Sequence, residues 1–544
     1  MTSVSTNQPP PLEGYNLFAS DRALVDALHR EGAGWADERT RCIGELLGGE
    51  PLVWGRQANA YPPVLRTHDR FGERIDEVEF HPAWHAMMRL SIEHEVHALP
   101  WREPRPGAHV ARAARLFLVA QVEAGHACPL SMTFAAMPLL EAEPAAGREW
   151  VPRLTSLVYD ARALPSSQKT GALCGMAMTE RQGGSDLRGN TTRARRLSGA
   201  GPGAEYAVTG QKWFCSAPMC DVFVVLAQAE RGLSCFLLPR WRPDDTRNGF
   251  HLQRLKDKLG NRSNASAEVE FDAAWARLVG EEGRGVATIM EMISHARLEC
   301  IIASAALMRQ AVAQATHHAA HRAAFGRRLE DQPLMQNVLA DLSLESEAAT
   351  VTTLRLARAY DERMRDETQR RFARFATPIV KYWICKRTPP LVAEALECLG
   401  GNGYVEESVL PRLYREAPVN SIWEGSGNVM CLDVLRALTR EPESVDAFFG
   451  ELELAAGLDR RLDAVVASIR DELARPEAVE AGARRIVEKL ALALEASLLV
   501  RGGHPAVADA FVASRLAGDR GLTFGTLTAG VDFKAIIERA RPAV

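Results

Sequence analysis

The chain has 544 residues, 47% of them hydrophobic and 25% charged, which describes a globular protein of roughly three or four domains. Its formal net charge of −4 excludes a globally basic nucleic-acid-binding protein, so any nucleic acid has to be bound by a local patch. The ten cysteines include no Cys-x-x-Cys pair, and the start MTSVSTNQPPPLEGYN lacks the layout of a secretory signal, so we expect a cytoplasmic protein. The sequence has no uncharged apolar stretch of about 18 residues, so it predicts no membrane span.

The periodicity of the chain changes along its length and predicts four domains. Helical patterns with proline-rich breaks predict a helical N-terminal domain over residues 1–172. Short β-branched and aromatic runs between Gly, Asn and Asp turns predict a β domain over residues 173–284. Long helical segments over residues 285–440 are typical of an antiparallel bundle, and residues 441–544 predict a further helical domain. The sequence thus predicts a mainly α fold with a central β domain.

Two motifs of the β domain have the residue types of a ligand site. Residues 175–186, GMAMTERQGGSD, offer backbone N–H groups and hydroxyls that suit a flat heterocycle or a diphosphate. Taken alone, the motif fits a tight loop between strands better. Residues 210–216, GQKWFCS, place two aromatics and a hydroxyl at the end of a strand. Strand alternation predicts that either Trp213 or Phe214 points into the core. No Gly-x-Gly-x-x-Gly follows a strand here, so a Rossmann site is not predicted.

Three motifs of the second half complete the set. They are HRAAFG (residues 321–326) followed by Gln332, ECLGGNGY (397–404) and VNSIWEGSGN (419–428). Arg322 suits a diphosphate, and the glycine turn lets a phosphate approach backbone amides. In the last motif, Ile422 and Trp423 can exclude water beside Glu424, which is the setting of a carboxylate that acts as a general base. Each motif alone also fits a helix end or a turn.

Six motifs in the same order resemble the acyl-CoA dehydrogenase family across about residues 173–436: MTERQGGSD, GQKWFCS, KDKLGNRSN, HRAAFG with Gln332, ECLGGNGY and WEGSGN. The wording NRSNASAEVEF and PRLYREAPVNSIWEGSGNVMCLDVLR, the long N-terminal region and the additional C-terminal domain resemble the AidB branch, flavoproteins of the alkylation-damage response. The resemblance implies a helical N-terminal domain, a central β-barrel and a helical bundle, with FAD between barrel and bundle, followed by a helical C-terminal extension.

The resemblance also implies which residues bind FAD. They are Met178, Thr179, Gly184, Ser185, Phe214, Ser216, Arg322, Phe325, Gln332, Gly400, Gly401, Ile422, Ser426 and Asn428. Phe214 stands where the family usually has a stacking Trp. Arg322, Phe325 and Gln332 match positions that reach the cofactor of a neighbouring subunit, which implies a homo-oligomer, commonly a tetramer. Glu397 departs from the Gln frequent in the family, and a carboxylate there would repel a diphosphate.

The resemblance implies that Glu424 is a catalytic base. It would remove a proton α to a thioester while hydride leaves the β carbon for the flavin, and Arg297 matches an Arg that lines the substrate pocket. The predicted function is therefore FAD-dependent α,β-dehydrogenation of an acyl-CoA, with an electron acceptor, in an AidB-type protein that binds DNA. Two alternatives are a metabolic acyl-CoA dehydrogenase with a C-terminal assembly domain, and a flavin-bearing DNA-protecting protein without turnover.

The sequence also contains candidate residues for a metal site and for a nucleic-acid site. Histidines at helical spacing (His81 and His85, His94 and His97, and the group His317, His318 and His321) lack a nearby Cys or a His-Glu-x-x-His pattern, so no metal site is predicted. Residues 355–387 carry ten cations against four acids, a candidate patch for non-specific double-stranded DNA, with a solvated helix face as the alternative. The resemblance implies DNA binding through the C-terminal domain, yet residues 441–544 carry a net charge of −4. Two alternatives remain for this domain. It serves oligomerisation, or it keeps a local basic face formed by Arg460, Arg461, Arg484, Arg485 and Lys489.

Overall fold

The structure is a computed structural model that describes residues 7–474 and 479–543. Residue contacts divide the chain into two compact units. The first unit contains Met1–Leu52, Arg105–Val122 and Cys300–Val544, and the second contains Val53–Pro104 and Glu123–Glu299. The four predicted domains group the chain by sequence pattern and remain a prediction. Residues 1–6 lie outside the described residues; they belong to the predicted N-terminal domain and to the start on which the prediction about a secretory signal rests. Residues 475–478 and 544, in the predicted C-terminal domain, also lie outside them.

Helices and one β-hairpin form the chain up to residue 154. In order they are α1 (Arg22–Arg30), α2 (Asp37–Leu47), α3 (Pro51–Ala60), β1 (Val64–His68), β2 (Arg74–Glu79), α4 (Pro82–Glu93), α5 (Leu99–Arg102), α6 (Ala108–Val122), α7 (Ala127–Glu141) and α8 (Pro144–Leu154). Within the first unit, α6 packs against α2 and against a long helix of the second half, residues 333–362. The Asp361 carboxylate accepts hydrogen bonds from the backbone N–H groups of Gly107 (2.8 Å) and His109 (2.9 Å), which fixes the start of α6.

Strands follow in the second unit. They are β3 (Cys174–Ala177), β4 (Arg193–Ser198), β5 (Glu205–Ser216), β6 (Val222–Ala229), β7 (Gly232–Pro239), β8 (Phe250–Leu255) and β9 (Ser266–Val279). The sheet order is β3-β6-β4-β5-β9-β7, with β8 beside β9, and β6 also pairs with β7 along its whole length. Strands β6, β4, β5, β9 and β7 therefore follow one another in a circuit, the pairing that a β-barrel requires. Strand β6 (VFVVLAQA) is buried on both faces, as its continuous apolar run predicts.

Long helices return after the sheet. They are α9 (Gly285–His321), the short hairpin β10 (Ala323–Ala324) and β11 (Arg327–Arg328), α10 (Pro333–Glu362), α11 (Glu367–Cys398), α12 (Gly401–Tyr404), α13 (Leu410–Glu416), α14 (Gly427–Arg440), α15 (Pro442–Glu453), α16 (Arg460–Leu473), α17 (Val479–Gly502), α18 (Pro505–Phe511) and α19 (Phe533–Ala540). Among the described residues, no helix is long and apolar enough to cross a membrane.

The C-terminal extension belongs to the same compact unit as the bundle. Helices α15 and α17 pack against α11, and α19 packs against α10. Buried ion pairs add polar contacts: Arg515 bonds Asp341 (2.5 Å) and Glu345 (3.0 Å), and Arg355 bonds Glu451 (2.6 Å). Because breaking a buried pair leaves an uncompensated charge, these contacts favour one specific docking of the extension on the bundle.

Candidate functional site

The two motifs of the second unit, GMAMTERQGGSD with its glycine turn and GQKWFCS with its two aromatics, are neighbours in the structure. The backbone N–H of Trp213 donates to the carbonyl of Thr179 (2.8 Å), which joins the end of the TER turn to strand β5. Met178 and Thr179 are half-buried, whereas Gly184 and Ser185 are exposed. A Cβ on Gly184 would lie 2.4 Å from Thr179 Oγ1, so only glycine allows this close approach. The structure thus brings together the predicted flavin-binding residues of this unit.

A buried ion pair supports this corner of the second unit. Lys212 Nζ bonds Glu180 Oε1 (2.8 Å) and donates to the Leu226 carbonyl (2.7 Å). Glu180 also accepts from the N–H groups of Thr191 (2.6 Å) and Thr192 (3.2 Å). Burial raises the pKa of Glu180, but the Lys212 ammonium and these hydrogen bonds outweigh it and lower the pKa to about 2. The carboxylate therefore stays charged and holds the turn in place. Neither residue was a sequence-predicted site residue.

The two aromatics of GQKWFCS depart from the expected alternation. The register of β5 against β9 shifts between Lys212 and Cys215, and these two flanking side chains are the ones in the core. Phe214 is 51% exposed and Trp213 is half-buried, so the prediction that one of them points into the core is wrong. Lys256 Nζ lies 3.4 Å from the centre of the Trp213 ring, a cation–π contact. The exposed Phe214 ring leaves a face free for stacking.

Ser216 lies at the end of β5. Its hydroxyl is 3.4 Å from the hydroxyl of Ser266 on β9. The position is half-buried, so a ligand in this part of the second unit can reach the hydroxyl.

In the first unit, the HRAAFG motif forms the β10–β11 hairpin. Phe325 is at its tip, 97% exposed and with φ +53°, a left-handed conformation that is uncommon for a bulky side chain. The Gln332 amide donates to the Ala324 carbonyl (2.9 Å) and so braces the hairpin. Arg322 Nη1 donates to the backbone carbonyl of Asn7. An exposed and strained aromatic is typical of a contact with another molecule.

The glycine turn of ECLGGNGY follows the end of α11. Gly400 has φ +58°, and a Cβ on Gly400 or on Gly401 would meet no atom within 4 Å. A Cβ on Gly403, by contrast, would lie 2.1 Å from the Leu396 carbonyl oxygen, so Gly403 serves packing. The open backbone of Gly400 and Gly401 fits the approach of a diphosphate. Glu397, the residue that departs from the family pattern, is exposed.

The Glu424 loop lies between a 3-10 turn, Ala417–Ser421, and the start of α14. Glu424 has φ +57° and Gly425 has φ +107°, two consecutive residues in left-handed conformations. Such a conformation costs about 1 kcal/mol or more for a residue other than glycine, so the surroundings must hold it. Glu424 is half-buried. The structure therefore presents the predicted base on a strained, constrained loop.

Lys381 is the residue that constrains this loop. Its side chain is buried, and Nζ donates to the carbonyl oxygens of Asn420 (3.1 Å) and Gly425 (2.9 Å) on either side of Glu424. Trp423 Nε1 donates to Asn420 Oδ1 (3.1 Å). The sequence pattern counted Lys381 only as one cation of a basic stretch. A lysine in a helix 40 residues before the loop gives no local signal of this role.

The remaining predicted residues of the loop differ in their surroundings. Ile422 is 63% exposed. Ser426 is the N-cap residue of α14 without a side-chain cap bond. Asn428 Oδ1 accepts a hydrogen bond from Arg484 Nε on α17 (2.9 Å), so the C-terminal extension contacts the segment that follows the base. Arg297 is buried in the part of α9 that belongs to the second unit, whereas Glu424 belongs to the first.

The candidate basic stretch is largely neutralised within the first unit. Its ion pairs are Arg355–Glu451 (2.6 Å), Arg358–Glu31 (3.1 Å), Arg365–Asp361 (3.8 Å), Arg370–Glu367 (2.6 Å), Arg371–Glu367 (2.8 Å), Arg374–Asp433 (3.0 Å) and Arg387–Glu345 (2.7 Å). Lys381 is buried as described. The stretch is therefore not the free basic face that its composition indicated. Four of its arginines pair with carboxylates distant in sequence, and three pair with Asp361 or Glu367 inside the stretch.

Several of the histidines contact groups other than a metal. His85 Nδ1 is 2.9 Å from the Tyr159 hydroxyl, and His97 Nε2 is 3.1 Å from the Ser156 carbonyl oxygen. His81 caps α4, and His317 Nε2 is 2.9 Å from the Pro10 carbonyl oxygen. These contacts are those of histidines that support helices.

Comparisons with known proteins agree with this architecture. Residues 7–161 match the family described as adaptive response protein AidB N-terminal domain, and residues 175–274 and 283–439 match the middle and C-terminal domains of acyl-CoA dehydrogenase. The chain is 49% identical to AidB of Escherichia coli strain K12 over 94% of both chains. Caenorhabditis elegans ACDH-11, solved in complex with C11-CoA, is similar with a TM-score of 0.86 and 26% identity over 95% of this chain and 93% of that chain.

A more distant structure shares the fold alone. The acyl-CoA dehydrogenase of Bacillus anthracis, solved with FAD, has a TM-score of 0.64 and 17% identity, over 80% of this chain and 81% of that chain. The family matches and the 49% identity to the Escherichia coli relative, by contrast, show that the chain belongs to the acyl-CoA dehydrogenase family. Within that family it lies in the AidB branch, as the N-terminal match and the Escherichia coli relative show, and the predicted fold and family are confirmed.

Proposed function

We propose that this chain is an FAD-dependent oxidoreductase that dehydrogenates an acyl-CoA between its α and β carbons, with Glu424 as the base. The observation that carries the proposal is the Glu424 loop, in which a half-buried carboxylate is held in a left-handed conformation by a buried lysine. Family membership supports FAD, and the neighbour solved with C11-CoA supports an acyl-CoA ligand. FAD, when bound, supplies the acceptor for the two electrons and the second hydrogen.

The residues of the loop have distinct tasks in this proposal. Glu424 accepts the proton from the carbon α to the thioester. Lys381 keeps the backbone on both sides of the carboxylate fixed, which aligns the base before substrate binds. Trp423, tied to Asn420, provides an apolar neighbour that limits water beside the carboxylate.

Residues of each unit fit FAD. In the second unit, the Phe214 ring is exposed and the Thr179 turn is fixed by the Lys212–Glu180 pair, which suits a flat ring with polar edges. In the first unit, the open backbone at Gly400 and Gly401 suits a diphosphate. These residues hold and orient the cofactor in the proposal.

The substitution Glu424→Gln tests the base. It keeps the size of the side chain but removes proton acceptance, so we expect anaerobic flavin reduction by acyl-CoA to slow by about 10²–10⁴-fold with FAD still bound. The matched control is Glu443→Gln, an exposed carboxylate at the start of α15, which should leave the rate unchanged. Stopped-flow absorbance across a panel of acyl chain lengths measures both.

The acyl-CoA panel and a measurement of duplex-DNA binding together separate the alternatives. Fast bleaching of the flavin by one chain length, without any DNA affinity, favours a metabolic acyl-CoA dehydrogenase whose C-terminal domain serves assembly. A bound flavin that no acyl-CoA reduces would contradict the proposed activity and favour a protein that protects DNA without turnover.

The proposal includes a homo-oligomer, a tetramer by family resemblance. Its support is the hairpin tip, where Phe325 is almost fully exposed in a strained conformation. Apolar side chains in such positions are stabilised when a second copy covers them.

DNA binding in an alkylation-stress response is the second part of the proposal, and it rests on the AidB relationship. The residues we propose are Arg460 on α16 and Arg485 on α17 of the C-terminal extension, both of which are exposed, with Arg485 also 3.1 Å from Glu472. The stretch at residues 355–387 is largely paired internally. Replacing both arginines with Ser should weaken binding of duplex DNA and make its salt dependence shallower by about one unit per lost phosphate contact, measured by fluorescence anisotropy. Unchanged affinity and slope would exclude these two residues.

A further inference from the structure

The first described residues of the chain lie against two motifs of the candidate FAD site. We call residues 7–10 the N-terminal strap. The Asn7 side chain bonds both backbone groups of one hairpin residue: Nδ2 donates to the Ala323 carbonyl and Oδ1 accepts from the Ala323 N–H, each at 2.8 Å. An amide that pairs with both groups of one residue takes the place of a neighbouring β-strand. The strap thus fixes the base of the β10–β11 hairpin.

The strap also orients the arginine of that hairpin. Arg322 Nη1 donates to the Asn7 backbone carbonyl. This acceptor is neutral, and among the described residues no carboxylate forms an ion pair with Arg322. The guanidinium is therefore held in one place while its charge stays available for an anion.

A second contact joins the strap to the glycine turn. Gln8 Oε1 accepts from Asn402 Nδ2 at 3.1 Å, and Asn402 directly follows Gly400 and Gly401. The Pro10 carbonyl is 2.9 Å from His317 Nε2, one turn before the end of α9. Asn7, Gln8 and Pro10 of the strap thus contact the hairpin, the glycine turn and α9, respectively, all within the first unit.

We propose that the N-terminal strap positions Arg322 and the Gly400–Gly401 turn for the diphosphate of FAD, with Asn7 and Gln8 as positioning residues. This inference rests on the proposed function and its homo-oligomer, because family resemblance assigns the glycine turn to the diphosphate and Arg322 of the hairpin to the cofactor of a neighbouring subunit. Holding a cation and an open backbone in place before binding reduces the ordering that binding requires, so the strap increases cofactor affinity.

The conformation of Asn7 makes a clean test possible. Its φ is +63°, a left-handed conformation that Asn, Asp and Gly adopt most readily. Asn7→Gly therefore removes both side-chain bonds without backbone strain, whereas Asn7→Ala would add strain. Asn7→Asp keeps the acceptor for the Ala323 N–H, loses the donor and places a carboxylate near Arg322.

The experiment measures the Kd of FAD for the full-length apoprotein by quenching of flavin fluorescence. Asn7→Gly combined with Gln8→Ala should raise the Kd by about ten-fold, because the lost hydrogen bonds are each worth a modest amount. Asn7→Asp should raise it at least as much, since the new carboxylate competes with the diphosphate for Arg322. The control is Gln57→Ala, an exposed glutamine on α3, which should leave the Kd unchanged.

The outcomes separate this inference from the proposed function. A wild-type chain that binds no FAD would overturn the proposed function and the inference with it. A wild-type chain that binds FAD, with strap variants that bind it equally well, would overturn the inference alone. Thermal unfolding of the apoproteins serves as the second readout: strap variants should melt within about 1 °C of wild type, because the lost bonds are exposed. A melting shift in apoprotein with no change in Kd would show a purely structural strap.

Discussion

Two buried carboxyl groups of the first unit, those of Glu345 and Glu495, change the stability of the fold in opposite directions as the pH changes. For Glu345, burial raises the pKa, but Arg387 and Arg515 outweigh it and lower the pKa to about 2. For Glu495, burial and the neighbouring Glu345 raise the pKa well above its ordinary value, although Trp383 Nε1 donates to it (3.0 Å). Glu345 therefore stabilises the fold above about pH 4.5 and loses this effect as the pH falls toward 2. Glu495 contributes most below about pH 4.5, and its contribution is lost as the pH rises through its folded-state pKa.

The pair of substitutions Glu495→Gln and Glu345→Gln tests this difference. Gln resembles the protonated carboxyl and can still accept from Trp383, so Glu495→Gln should raise the melting temperature at pH 8 by about 1–3 °C and leave it unchanged near pH 4. Glu345→Gln removes the charge between two buried arginines and should cost about 3 kcal/mol or more at neutral pH. Circular dichroism melting at several pH values measures both. A lower melting temperature of Glu495→Gln at pH 8 would contradict the assigned direction.

For single elements, the turn after α11 combines a glycine that we propose binds the diphosphate, Gly401, with a glycine required for packing, Gly403. A Cβ on Gly401 meets no atom, whereas a Cβ on Gly403 would lie 2.1 Å from the Leu396 carbonyl oxygen. Two positions of one turn therefore differ in whether a side chain fits: the space beside Gly401 is open, whereas the backbone of α11 fills the space beside Gly403.

Substitution of these two glycines by Ala should have contrasting effects. Gly401→Ala should leave the melting temperature unchanged and weaken FAD binding by about ten-fold, because the methyl group enters the space proposed for the diphosphate. Gly403→Ala should lower the melting temperature even without FAD, because backbone must move. Calorimetry of apoprotein and FAD titration distinguish the two. Equal FAD affinity of Gly401→Ala and wild type would exclude the turn as the diphosphate site.

For the whole molecule, we expect the proposed oligomer to depend on the β10–β11 hairpin, whose tip residue Phe325 is almost fully exposed. Phe325 is the test position because Asp tolerates its left-handed backbone better than Phe does. Phe325→Asp should reduce the oligomer to smaller species and weaken FAD binding, without lowering the stability of the single chain. The control is Leu522→Asp, another fully exposed apolar residue. Light scattering coupled to size exclusion measures the mass. A tetramer that persists in Phe325→Asp would exclude the hairpin tip as an essential contact.

Much of this molecule was predictable from the sequence because its signals are local. The glycine turns, the Glu424 loop and the change from helical to strand periodicity each lie within a few consecutive residues. Their order identified the family, and the family gave the fold class. Position 424 could be singled out because its carboxylate, between an aromatic and a glycine, is accompanied by five other motifs in the order of the family.

Only the tertiary structure decided which charges are free and what holds the loop. Arg355 pairs with Glu451, 96 residues later in the chain, and Lys381 bonds carbonyls on both sides of Glu424. Because the register of β5 shifts between Lys212 and Cys215, neither Trp213 nor Phe214 points into the core as simple alternation predicts. Pairing and register depend on residues that folding brings together. Composition alone therefore overestimated the free charge of the basic stretch and gave no sign that Lys381 holds the Glu424 loop. The sequence by itself determined the family, the fold class and the candidate base; the tertiary structure decided how that base is held and which surfaces keep their charge.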